Sequence, residues 1–473
     1  MTEPIDTVPT MELKPPDIDR LVDELRAYHA IYSPLLQRRE QRAGAEKSRH
    51  GLLLEMPRKS IEPMVLALEG AHGNAVRTLQ LCISEGTWED EALLRRHWQE
   101  VDHGLGEDDG VLTLDGSDVL TQGQESVGVK RQYCGEVGKR ANCHAGVFVG
   151  YASRLGDPLL DRRLSLPQEW VEDETYAERR RRGGVPAAIA LKPKPMLGWE
   201  MIHAVHHAGT LRCRWVTCDE ALGRDTTFLA QVAGLGLGYC AAVPHDTHVW
   251  RQRPATAVPV GVGRGRKPTR VRVAEDALAA QTVAAVAEEV PAEQWSRQTR
   301  KEGRKGPLVA DCATVRVIAR REGLPGPEVW LVLRRHAQTG DLKTSVSNAP
   351  ADTALPRLVR LSGMRWPMET CFEDSKQSLG MGDDEVRSWR GWHHHLTFCI
   401  LAHGFLVRVR RRLKKKAPGL TLPQVQLLLI SILPTRTFDA QWVLAVIAYW
   451  PQRNHAASVS HRKRRSALLS QGG

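Results

Sequence analysis

Apolar positions along this chain change their period near residue 110, and that change marks out its elements. Before it, apolar residues recur at helical spacing over 17–32, around 60–68 and over 72–83, with basic or glycine-containing turns between. After it, the stretch Gly110-Val-Leu-Thr-Leu-Asp115-Gly-Ser-Asp118 opens with a short β-rich run ending in an acid. Two further strands are predicted over 143–151 and 159–166, joined by the turn sequence Ala152-Ser-Arg-Leu-Gly-Asp157-Pro158. A helix follows over 197–207, and then Cys213-Arg-Trp-Val-Thr-Cys-Asp219 repeats the pattern of a buried strand delivering an acid. The spacing then predicts a helix over 226–233 and a strand over 239–243. From about 246 to 350 the composition shifts: proline, glycine and arginine cluster, and two β-rich runs, 313–319 and 328–334, flank a glycine and proline turn. Helical spacing returns over 365–376 and again over 392–413, where Leu396, Cys399, Ile400 and Phe405 form an apolar stripe.

Two of these strands place chemistry in view. A carboxylate at the end of a buried strand is costly unless it is paired or metal-bound, so Asp115 and Asp219 are candidates for more than capping a turn. The helix over 365–376 carries plus, minus and plus on one face. At about 100° per residue, Glu369 lies about 40° and Lys376 about 20° round from Arg365, whereas Asp374 points away. The same spacing also describes a solvated face with an i,i+4 ion pair. Glu373, one turn on and about 40° further round, is the rival acid.

Composition narrows the partner. Lysine and arginine exceed the acids by 66 − 55 = 11, and the sequence pI is near 9.3, which favours a polyanion such as nucleic acid. Basic runs occur at 179–182, 264–267, 408–416 and 462–465, and the tail beyond Arg462 is expected to be mobile. Nine cysteines without a C-x-x-C pair argue against a disulfide framework or zinc ribbon and for reduced thiols in a cytoplasm. The N-terminus lacks an apolar signal core, and the apolar segment 425–433 is too short to span a bilayer, so a soluble protein is expected. Consecutive residues diverge around a helix, so His393, His394 and His395 are expected to pack or touch phosphate rather than share a metal.

The spacing Arg365-x3-Glu369-x6-Lys376 resembles the Tyr-Arg-Glu-Lys signature of a branch of the DDE transposases of bacterial insertion sequences, with Ser362 where that signature has tyrosine. The run Leu379 to His395 looks like the family's continuation. The wording Gly128-Val-Lys-Arg131-Gln132-Tyr133, Gly138-Lys-Arg-Ala-Asn142 and Asp161-Arg162-Arg163-Leu-Ser-Leu-Pro167 is similar to one subgroup. There Asp115 falls on the first catalytic acid, followed by Gly116, Ser117 and Asp118 in place of Glu-Thr-Gly. Asp219 matches the second, in Trp-Val-x-x-Asp, with Leu222 in place of a tyrosine.

The resemblance implies an α/β ribonuclease-H-like catalytic core, a mixed sheet with flanking helices, interrupted by a mostly β insertion domain and preceded by an α-helical N-terminal domain. The implied division is 1–105 for a helical DNA-binding domain, 106–245 and 351–416 for the two parts of the core, 246–350 for the insertion, and 417–473 for a helical region with a basic tail. Asp115, Asp219 and Glu369 are implied as catalytic acids holding two Mg2+ ions, with Mn2+ able to substitute. Arg365 and Lys376 are expected to position phosphates. Further DNA contacts are expected at Arg58, Lys59, Arg131, Arg162, Arg163, Arg297, Arg300, Lys301, Arg304 and Lys305. The partner would be double-stranded DNA, bound by a homodimer in a bacterial cytoplasm. The expected reaction cleaves transposon ends and transfers the freed 3′-hydroxyl to target DNA. A transposase-derived DNA-binding protein that no longer cuts is the alternative.

Overall fold

A computed structural model describes residues 11–259, 269–303, 306–433 and 439–470. After a short first helical turn at Pro15–Asp19, five helices open it: α1 (Leu21–Tyr32), α2 (Arg39–Leu53), α3 (Ile61–Glu69), α4 (Gly73–Glu85) and α5 (Asp90–Leu105). Each turns an apolar stripe inward, as with Leu21, Leu25, Tyr28 and Tyr32 on α1. These stripes close onto the rest of the molecule. Tyr28 Oη donates to the carbonyl of Leu401 at 2.9 Å, and Trp98 Nε1 to that of Leu160 at 3.1 Å. A shared apolar core runs from Leu21 to Leu433, so the inner faces of the N-terminal helices are spent on packing.

The sheet begins with β1 (Val111–Leu120), β2 (Lys130–Cys134), β3 (Lys139–Ala152) and β4 (Leu159–Ser165). After helix α6 (Lys194–Ala208) come β5 (Trp215–Cys218), α7 (Thr226–Gly234) and β6 (Gly238–Ala242). Strand β3 lies antiparallel between β1 and β4, whereas β5 is parallel to β1 and β6 parallel to β5. The central order β4-β3-β1-β5-β6, flanked by helices, fits a ribonuclease-H-like core.

The inserted stretch continues this sheet. Its strands β7 (His248–Trp250), β8 (Gln281–Thr282), β9 (Ser296–Gly303), β10 (Gly306–Arg321), β11 (Leu324–His336) and β12 (Leu342–Ser347) are hydrogen-bonded in the order β8-β7-β10-β11-β12, with β9 on β10. Strand β12 then pairs antiparallel with β6. An exposed edge on β6 would offer unpaired backbone groups; the insertion covers it. The insertion therefore stands next to the end of β5, where Asp219 is.

Helices α8 (Leu355–Gly363), α9 (Trp366–Leu379), α10 (Trp389–Leu413), α11 (Leu422–Ile430) and α12 (Ala440–Ser470) complete the chain. Helix α10 is buried on nearly every side from Gly391 to Val407, its four histidines and Thr397 included. It runs between α2, α4 and α5 on one side and β4 on the other. Helix α12 runs on through the basic tail beyond Arg462 to Ser470; Arg, Lys, Ala and Leu are good helix formers. Among the described residues no helix is long and apolar enough to cross a membrane.

Candidate active site

Asp115 is positioned by where a neighbouring strand stops. Strand β1 does not end at this acid, as the sequence pattern suggests, but runs on to Leu120. Its parallel neighbour β5 pairs with it only as far as Leu114 opposite Cys218. Asp115 and Asp219 are thus the first residues past the same rung, on strands about 4.8 Å apart. The side chain of Asp219 caps the turn that follows, with Oδ1 accepting from Leu222 N at 2.9 Å, as short acidic side chains do at helix starts.

Helix α9 brings the third acid from far along the chain. Met368, Cys371, Phe372, Ser375, Ser378 and Leu379 are its buried positions, spaced three and four apart so that one face packs. Phe372 meets Phe148 edge to face at 5.3 Å, and Cys371 Sγ donates to the carbonyl of Asp157 at 2.9 Å. With that face fixed, Arg365 and Glu369 flank the end of the β1–β5 rung. Arg365 Nη1 donates to Asp115 Oδ2 at 2.9 Å, and its Nη2 donates to Glu369 Oε1. Glu373 is exposed and accepts from Gln377 at 3.4 Å. It takes no part in this cluster.

The electrostatics show acids crowded together. Burial and the neighbouring charge of Asp219 push the Asp115 carboxyl up to about 6, against the pull of Arg365 and the Gly116 N–H. Burial likewise raises Asp219, opposed by the Leu222 N–H, Arg365 and Lys194. Burial works against the Arg365 charge, but Asp115, Glu369 and Asp219 outweigh it and raise the guanidinium. Asp219, Arg365 and Glu369 open onto a cavity of about 460 Å³ that Ser362 also lines. Ser362 Oγ donates back to the carbonyl of Val359 at 2.8 Å.

An all-oxygen donor set of two aspartates and a glutamate suits hard divalent ions such as Mg2+ or Mn2+, and the raised Asp115 and Asp219 mark a place where added positive charge would be stabilising. Arg365 supplies that charge in this arrangement. Among the described residues no three His, Cys, Asp or Glu side chains stand together as a ready ion cage; the Arg365 guanidinium bonds both Asp115 and Glu369.

The other expected contacts scatter. Lys376 Nζ donates to the carbonyl of Asp118 at 2.6 Å and to Glu136 at 2.7 Å, beside the acids rather than among them. Arg58 is exposed and pairs with Glu385 at 3.1 Å. Arg131 is exposed on β2, and Arg297 is exposed on β9, 3.1 Å from Asp311. Arg300 and Lys301 lie on β9 as well, and Arg304 and Lys305 fall outside the described residues.

Lys59 and Arg162, expected as DNA contacts, are buried. Lys59 Nζ donates to the carbonyls of Leu52, at 2.7 Å, and of Ser378. Its ammonium thereby satisfies the C-terminal end of α9, where a cation is favourable. Arg162 is 2% exposed and is held by Asp90 at 3.2 Å and by the His393 carbonyl at 3.0 Å. Arg163, half-buried, pairs with Asp161 at 2.8 Å. The histidine triplet is buried too, each ring on a different backbone carbonyl: Trp389, Ile83 and Gly380. Sequence reading passed over Arg334 and Lys343, which line the cavity; an apolar run ending in arginine was their only local signal.

A family model described as DDE superfamily endonuclease matches residues 32–307. The match takes in Asp115 and Asp219 and stops short of Glu369. Among solved structures, the chain is similar to one titled as the cryo-EM structure of piggyBac transposase synaptic complex with hairpin DNA, at 10% identity and a TM-score of 0.35. That similarity covers 72% of this chain and 53% of the other, so the chain spans about half the length of that transposase. No curated protein matches the chain.

Proposed function

Because the chain belongs to the DDE superfamily endonucleases, we propose that it is the transposase of an insertion sequence, cutting DNA at the element's ends and joining the freed 3′-hydroxyl to target DNA. One observation carries this reading. Arg365 bonds both Asp115 and Glu369 at the rung where Asp115 adjoins Asp219, and Asp219, Arg365 and Glu369 line one cavity.

In this reading Asp115, Asp219 and Glu369 would hold two Mg2+ ions. When bound, such ions supply a Lewis acid for the phosphoryl oxygens and lower the pKa of the attacking hydroxyl. The chain's own residues do the rest. Asp219 keeps one carboxylate oxygen on the Leu222 N–H, which fixes its orientation and leaves the other oxygen for a ligand. Asp115 is fixed in the same way by the Gly116 N–H at 2.8 Å. Arg365 carries a planar fork matched to non-bridging phosphate oxygens. Lys376, anchored beside β1, would contact a phosphate further along the strand. The basic surface of the chain supports a double-stranded DNA partner, and a homodimer would hold two ends together.

The test is metal-dependent nicking of a duplex carrying the element's terminal repeat. Asp115→Ala, Asp219→Ala and Glu369→Ala should each lower nicking by at least about a hundredfold while the fold is retained. Undiminished nicking by any one of them removes that residue from the site. Salt-sensitive DNA binding with no nicking by the unaltered protein would favour the non-cutting DNA-binding alternative.

A further inference from the structure

Two cations face the active-site cavity from the inserted strands. Arg334 on β11 and Lys343 on β12 stand directly opposite each other in the antiparallel ladder, and both line the cavity of about 460 Å³ that Asp219, Arg365 and Glu369 share. Like charges opposite one another on a sheet face repel and cost stability. Other cations of this region have acids: Arg365 has Asp115 and Glu369, and Lys376 has Glu136. Among the described residues, neither Arg334 nor Lys343 has a carboxylate within ion-pair distance. Burial lowers the Arg334 pKa; the thiols of Cys240 and Cys312 oppose this, and Arg365 adds to it.

The floor between these cations and the acids is made of small residues, Cys240, Ala242 and Ser345, so the space stays open. Lys343 lies two strands from Asp219 in the order β12-β6-β5, about 10 Å at the usual strand spacing. That is too far for the atom being cut and near enough for a neighbouring phosphate on the same strand. Two cations on one rung, neither with a carboxylate in reach, become favourably placed once an anion lies between them.

We propose that Arg334 and Lys343 form a phosphate clamp that grips the DNA backbone beside the bond being broken. The clamp rests on reading this cavity as a phosphodiester site, and it makes the insertion part of the active site. Both would be positioning residues, since they touch the substrate's backbone and not the reacting atoms.

The experiment follows binding of a short fluorescent duplex to the full chain in the presence of a chelator, across a salt series, with nicking measured separately in magnesium. Lys343→Gln and Arg334→Gln should each weaken binding about tenfold and flatten the slope of log affinity against log salt by about one. Lys343→Arg and Arg334→Lys should keep the slope. Free Lys343→Gln should melt no lower than the unaltered protein, because it relieves a repulsion. Variants that bind with unchanged affinity and slope overturn the clamp, as does an unaltered protein that binds no duplex. Weakened, flattened binding in a protein that never nicks leaves the clamp standing and removes the cutting reaction.

Discussion

Arg365 Nη1 lies 2.9 Å from Asp115 Oδ2, a bond between residues 250 positions apart, and the same guanidinium holds Glu369 one turn along its helix. The helix carrying Glu369 is thereby keyed to the strand carrying Asp115. The guanidinium supplies positive charge between these carboxylates, and it would compete for them with the metal ions proposed above.

Removing that competitor should reveal it. Arg365→Ala is expected to destabilise the metal-free protein by on the order of 1–2 kcal/mol, because Asp115 and Asp219 lose their compensating charge. Magnesium should restore more stability to the variant than to the unaltered chain. Thermal melting with and without magnesium measures both effects. An equal magnesium response in the two proteins would show that Arg365 and the ion do not share the acids.

The acid pair should also leave a mark on pH dependence. With its folded pKa raised from 3.8 to about 6, Asp115 binds more protons in the native state than in the unfolded one. Native stability contributed by this residue is therefore greatest below about 4 and is lost as pH rises through about 6. Asp219, raised in the same direction, adds to the trend. Asp115→Asn should remove the larger part, so that its stability rises relative to the unaltered protein between about pH 4 and 7, by on the order of 2–3 kcal/mol in all. Chemical denaturation of the metal-free proteins across that range measures it.

The third acid can be assigned by comparing two neutral isosteres. Glu369→Gln should lose nicking by about a hundredfold or more. Glu373→Gln should stay within about twofold, since Glu373 faces solvent and, among the described residues, bonds Gln377 alone at 3.4 Å. The reverse ranking would move the site one turn along α9.

Two basic residues that look like DNA contacts in the sequence should behave as structural ones. Arg162→Met leaves Asp161 and Asp90 without their buried partner and should cost about 3–5 kcal/mol. Lys59→Ala uncaps the end of α9 and should cost about 1–3 kcal/mol. In both, the salt slope of DNA binding should be unchanged wherever the protein remains folded. A flattened slope at either position would return that residue to the DNA interface.

Local pattern by itself singled out the acids proposed here as the active site. Strand-forming runs ending near Asp115 and Asp219, and the i,i+4 spacing of Arg365 and Glu369, follow from two- and 3.6-residue periods that are written into neighbouring positions. The long helix over 392–413 follows from the same period, and the net basic charge from composition. What needed the folded chain was every question of which distant backbone lies alongside which. Only the ladder shows that β1 runs past Asp115 while β5 stops beside it, that the inserted strands continue the core sheet from β6, and that Arg334 meets Lys343 across a rung. Only packing shows that Lys59 and Arg162 are buried. Pairing register and burial depend on contacts between remote segments, and a cation on its way to DNA is the same residue, in sequence, as one that caps a helix inside the core.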